Sequence, residues 1–180
     1  AFPGPPVVLH NDGPAVAQVV QVARRGGAHA DLLVARTDVS LGALLQALSN
    51  RQVHLDAALY PFSAAGLQEQ PVYRSQLTFR HFQEGTPVLL LAADLAGTGQ
   101  RQVLMNLEPG VLSVLPNGPA GPDLRAAPRW QVQVPLPRVP EEAFVGSWSG
   151  DEREQVAFWY RGSHTPAELR RTLRWVLLAP

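Results

Sequence analysis

The spacing of apolar residues changes several times along this chain, and each change predicts a different element. In NDGPAVAQVVQVARRGG, Val16, Val19, Val20 and Ala23 recur at i, i+3, i+4 and i+7. That is one face of a helix, and Gly26 supplies a C-terminal stop. The same run is rich in Val, so it also fits a strand that turns at RRGGAH and forms a hairpin with DLLVAR. Periodicity makes helix the expectation for residues 14 to 25, with the hairpin as the alternative.

The neighbouring segments are plainer. VVLH (7 to 10) and DLLVAR (31 to 36) read as strands. TDVSLGALLQALSNR reads as a helix with Ser40 as N-cap and Leu41, Leu44, Leu45 and Leu48 on one face. VHLDAALY then returns to strand, so residues 1 to 70 are expected to hold a β-α-β unit.

From residue 72 the pattern alternates. VYRSQLTFRHF, TPVLLLAADL, RQVLMNL and VLSVL predict a four-stranded antiparallel meander over residues 72 to 115, with TPVLLLAADL apolar enough to be a central strand. LPNGPAGPDLRAAPR, residues 115 to 129, is an irregular surface connection. Beyond it, in residues 130 to 180, WQVQV and EQVAFWY are further strands. TPAELRRTLRWVLL predicts a closing helix with a capping box of Thr165, Pro166 and Glu168. Its Leu169, Leu173, Val176 and Leu177 are expected to cover the sheet while Arg170, Arg171 and Arg174 face water. The fold class read from this is α+β: one domain over residues 1 to 180, mainly antiparallel sheet, with the β-α-β unit at one end and a packed helix at the other.

Composition narrows the chemistry. Fifteen basic and fifteen acidic residues leave a formal net charge of zero, so nothing in the overall balance attracts nucleic acid or an anionic membrane. Cysteine is absent, which excludes disulfides, thiolate nucleophiles and Cys-based metal centres. Every basic residue is Arg. Without Lys there is no GxxxxGK[ST] loop, Schiff-base lysine or Ser–Lys dyad. The longest apolar run, PVLLLAADLA, is interrupted by Asp94 and is too short to span a bilayer. The start at Ala1 and the Pro-rich AFPGPP read as those of a processed extracytoplasmic protein.

Three constellations carry candidate chemistry. GSWSGDEREQVAFWYRGSHT places Ser147, Ser149, Asp151 and His164 within twenty residues. A nucleophile elbow needs Ser at the centre of G-x-S-x-G, where this chain has Trp148, and it needs a following helix, where EQVAFWY alternates as a strand. A polar turn is therefore the expected reading. The second constellation is three H-x-D triplets: His10 with Asp12, His29 with Asp31 and His54 with Asp56. On a strand, residues i and i+2 share a face, so an imidazole and a carboxylate could grip one metal ion. If the three strands run parallel, however, the first triplet lies at the opposite sheet end from the other two, and polar strand ends become the simpler account.

The third constellation is a surface. Arg161, Arg170, Arg171 and Arg174 gather around the predicted last helix, and Trp148 sits in a turn where an aromatic ring can serve a partner; Trp159 and Trp175 are expected in the core. Together these features point to a non-catalytic, exported binding or protein-interaction module of the bacterial cell envelope, needing no cofactor. Its partner is expected to be another envelope protein or a second copy of itself. The rival is a metal-dependent enzyme using the H-x-D residues.

Overall fold

In a computed structural model, the described residues are 14–23, 30–63, 65–80, 88–118, 121–137, 139–150, 152–161, 167–169 and 172–176. They form β1 (Ala15–Ala23), β2 (Ala30–Asp38), α1 (Leu41–Asn50), β3 (Gln52–Tyr60), β4 (Phe62–Ser63), β5 (Gly66–Leu67), β6 (Tyr73–Arg80) and β7 (Leu90–Ala93). There follow β8 (Gln102–Glu108), β9 (Val111–Val114), β10 (Asn117–Gly118), β11 (Gly121–Pro122), β12 (Trp130–Gln133), β13 (Ala143–Gly146), β14 (Gln155–Tyr160) and β15 (Thr172–Val176). Single 3-10 turns cover Pro140–Glu142 and Ala167–Leu169. The fold is a sheet-rich α+β arrangement with one α-helix among the described residues, and every strand pairing is antiparallel.

Three sheets stack in layers. The first has the order β1-β2-β3-β6, the middle one β12-β9-β8-β7, and the C-terminal one β13-β14-β15. Strand alternation explains the stacking. Along β7 and β8, Leu90, Ala92, Val103 and Met105 face Leu33, Leu55, Leu59 and Phe79 of the first sheet. The intervening Leu89, Ala93 and Leu104 face Val156, Phe158 and Tyr160 of the C-terminal sheet. A sheet covered on both faces can be apolar at every position, and that is why VLLLAA reads as a continuous run. Gln18 ties the first two layers together: its Oε1 accepts from the Leu90 N–H at 3.1 Å and its Nε2 donates to the Val88 carbonyl.

Four expectations are corrected. Residues 15–23 are a strand, the hairpin alternative, with Val22 opposite Asp31 and Ala23 opposite Ala30. Val16, Val19, Val20 and Ala23 satisfy the helical spacing, but β-branched side chains beside a complementary strand favour the pleated form. The β-α-β unit has its helix in the right place, yet β2 and β3 are antiparallel neighbours, so α1 is a connection at one sheet end and not a parallel crossover. The first strand of the predicted meander, β6, pairs with β3, and the Trp130–Gln133 strand takes the fourth place beside β9, so β7, expected to be central, is an edge strand of its sheet.

The fourth correction concerns the closing helix. The Thr-Pro-Ala-Glu segment contributes only the turn at Ala167–Leu169, after which TLRWV forms β15 against β14. Thr, Trp and Val favour a strand, and the β14 edge offers a complete row of backbone partners. Leu169 is buried as expected, whereas Leu173 is 49% exposed. The VVLH strand lies outside the described residues.

The helix α1 forms as read. Ser40 Oγ accepts from the Ala43 N–H at 3.3 Å, and the Asp38 carboxylate holds both the Ser40 N–H at 2.8 Å and its hydroxyl at 3.0 Å. Its leucines, however, face outward: Leu41, Leu44, Leu45 and Leu48 are all exposed, and Ala47 is the helix residue that enters the core.

Candidate functional site

The Gly146–Gly150 stretch joins β13 to β14, and no helix follows it before β14. Ser149 Oγ accepts a hydrogen bond from Gln155 Nε2, so this hydroxyl closes the turn. Asp151 and His164 lie outside the described residues. Gly146 has a separate purpose. A Cβ there would stand 2.8 Å from the Trp148 ring, so the absent side chain lets the indole fold back over the end of β13 while remaining 46% exposed.

Register places that ring beside an apolar surface. On β14, Val156, Phe158 and Tyr160 point into the core, so Gln155, Ala157 and Trp159 point away from it. Opposite them stand Gly146 and Phe144 on β13 and Leu173 on β15. The outward face thus carries Phe144, Trp159 and Leu173, which are 38, 45 and 49% exposed, around a floor at Ala157 that is buried. The Arg161 guanidinium lies 5.0 Å from the centre of the Trp159 ring, a cation–π contact that orients the indole. The Arg161 N–H in turn donates to Glu142 Oε1 at 3.0 Å.

The predicted interaction residues divide accordingly. Trp148 and Arg161 adjoin this face. Arg174 does not: it stands opposite Phe158, on the core side of β15, with its own side chain exposed. From there its charge acts on Tyr160, whose phenol is pushed above its usual range by burial, partly offset by Arg174 and reinforced by Glu142. The Tyr160 hydroxyl donates to the Pro135 carbonyl. Arg170 and Arg171 lie outside the described residues, as does the Trp175 side chain. Trp159, expected in the core, is instead half exposed, because Tyr160 and Phe158 fix the inward parity of β14. That parity was legible in EQVAFWY once Phe158 was taken as buried.

Among the H-x-D residues, His10, Asp12 and His29 lie outside the described ones. Asp31 is buried on the inner face of the first sheet, where Oδ1 accepts the Phe62 N–H at 3.0 Å and so holds the corner after β3. His54 and Asp56 are exposed on the opposite face; the His54 ring is 3.1 Å from Thr78 Oγ1 and Asp56 Oδ1 accepts from Gln76 Nε2 at 3.1 Å. Because β2 and β3 are antiparallel, Asp31 also lies most of a strand length from His54 and Asp56, whereas parallel strands would have put them at one end. The structure brings His54 and Asp56 together and keeps Asp31 apart. Among the described residues no group of three side chains is placed to hold a metal ion.

One polar cluster was not foreseen. Glu154 Oε2 accepts from the Asp94 N–H at 2.7 Å and from Arg101 Nε at 2.9 Å, while the second Arg101 nitrogen bonds Oε1. Asp94 in turn accepts from the Thr98 and Gly99 N–H groups. Every bond in this cluster closes the turn after β7 or ties it to the start of β14, so its chemistry is structural. No protein-family model matches this chain, and no curated protein or solved structure does so.

Proposed function

We propose that this protein is a non-catalytic interaction module that docks a partner protein on the outward face of its C-terminal sheet. The observation that carries this reading is the apolar row of Phe144, Trp159 and Leu173, one from each strand, on a face that points away from the layered core. A sheet with one face already buried needs no second apolar face for its own stability. Aromatic and aliphatic side chains grouped on a rigid surface, with one Arg beside them, have the composition of an interface centre. Trp148, seated over Gly146, extends that surface at one corner, and Arg161 supplies a polar margin.

The partner is an envelope protein or a second copy of this chain, and the site of action is outside the cytoplasm. The motivation for that placement is the Pro-rich AFPGPP stretch. The test is co-purification of the tagged chain from its own cells, beside Trp159→Asp and Leu173→Asp variants shown by circular dichroism to be folded. The expected result is a stoichiometric companion retained by the parent chain and lost by both variants. A companion retained equally by both, or a parent chain that runs alone at monomer mass, contradicts the reading. Fractionation checks the location: recovery in the soluble cytoplasmic fraction contradicts export.

A further inference from the structure

The first sheet has an outward face of the opposite character, and it contains a hollow. On β3 the side chains of Asp56, Ala58 and Tyr60 point outward; Arg36 and Val34 flank them on β2, and Gln76 and Arg74 on β6. Ala58 therefore stands at the middle of a ring of larger residues, with Val34 and Arg74 directly opposite it on its two neighbours. The result is a cavity of about 740 Å³, within the range of small-molecule sites. Arg125 lines it too, arriving from the segment after β11, with Nε 3.3 Å from the hydroxyl of the buried Ser75.

Three features give this hollow a ligand chemistry. Among the described residues three Arg and two Asp line it, an excess of one positive charge. The Arg74 guanidinium makes no hydrogen bond or ion pair with any described residue. Tyr60 lines the cavity, and its hydroxyl makes no hydrogen bond with a described residue, so it is available to a ligand there. The carboxylates matter equally. Both oxygens of Asp38 are committed to Ser40, but Asp56 Oδ2 is open to a donor. That oxygen repels a bare anion and welcomes a hydroxyl.

We propose that the hollow over Ala58 binds a small polyhydroxylated anion of the sugar-acid or sugar-phosphate type, with Arg74 and Arg125 on its acidic group and Asp56 and Tyr60 on its hydroxyls. This site is independent of the docking face. Titration calorimetry with glucuronate, glucose 6-phosphate, inorganic phosphate and glucose tests it, and the first two separate a carboxylate from a phosphate as the acidic group. At least one sugar anion is expected to bind more tightly than inorganic phosphate, with no heat from glucose. Arg74→Ala and Arg125→Ala are each expected to weaken that binding by about tenfold or more, and Tyr60→Phe by about two- to tenfold. Arg74 is exposed, so its variant folds even if loss of the Arg125–Ser75 bond disturbs the other. No binding of either sugar anion, binding that survives Arg74→Ala, or inorganic phosphate binding as tightly as the sugar anions would overturn the proposal.

Discussion

The two outer sheets of this molecule treat their outward faces in opposite ways. On the first sheet the outward positions of β3 and β6 include two cross-strand pairs bonded side chain to side chain, His54 with Thr78 and Asp56 with Gln76, and the charged Arg74. On the C-terminal sheet the corresponding positions are Phe144, Trp159 and Leu173. Both sheets bury their inner faces against the same middle sheet, so the difference does not arise from core packing. A polar face is satisfied by water and by its own cross-strand pairs, whereas an apolar one gains free energy only when another surface covers it. That contrast is the reason the docking proposal falls on the apolar face and not on the polar one.

The largest expected effect breaks the common ground of that comparison. Leu104 is fully buried between the middle and C-terminal sheets, and Leu104→Ala is expected to lower the urea-unfolding free energy by about 2 to 5 kcal/mol. A loss under about 1 kcal/mol would mean that the C-terminal sheet is not docked on the middle one. Removing the clip between them comes next. Glu154→Ala is expected to cost about 1 to 2 kcal/mol, a figure discounted because Arg101 is one-third exposed and its ion pair is screened.

The inner face of the C-terminal sheet has a pH signature. Tyr160 is held neutral by burial, so its folded-state pKa lies above the ordinary 10.0. Its contribution is complete below that value and is lost as pH rises through the folded-state value. Thermal melts between pH 8 and 11 are therefore expected to show a fall at the alkaline end that Tyr160→Phe removes. An identical fall in the variant would assign it to another group. The smallest effect belongs to the outward face: Leu173→Ala, at 49% exposure, is expected to change stability by under about 1 kcal/mol.

How far this was visible beforehand differs from segment to segment, for physical reasons. VLLLAA was legible as a buried strand because it is apolar without interruption, although its place at the edge of the middle sheet was not, and α1 was legible from Ser40 and its leucine spacing. The outward direction of those leucines was not, since periodicity fixes which residues share a face and says nothing about which face meets the core. The segments 15–23 and 172–176 failed for a related reason. Val16, Val19 and Val20, like Leu169, Leu173 and Val176, fit a helical stripe, and the strand that each pairs with is the deciding partner. The apolar face combines both difficulties: it required β15 to be a strand and β14 to have a known inward parity. Trp148 was legible as a turn residue, while its seat on Gly146 was not.

Site-specific photocrosslinking in the native cells reaches the central claim most directly. A photoreactive phenylalanine analogue at position 159 probes the apolar face, and the same analogue at position 78 probes the polar one; both positions are exposed on strands. The account predicts a discrete adduct from position 159, either with one other protein or at twice the chain mass, and none from position 78. Equal crosslinking from both positions, or none from position 159 while position 78 reacts, would contradict it.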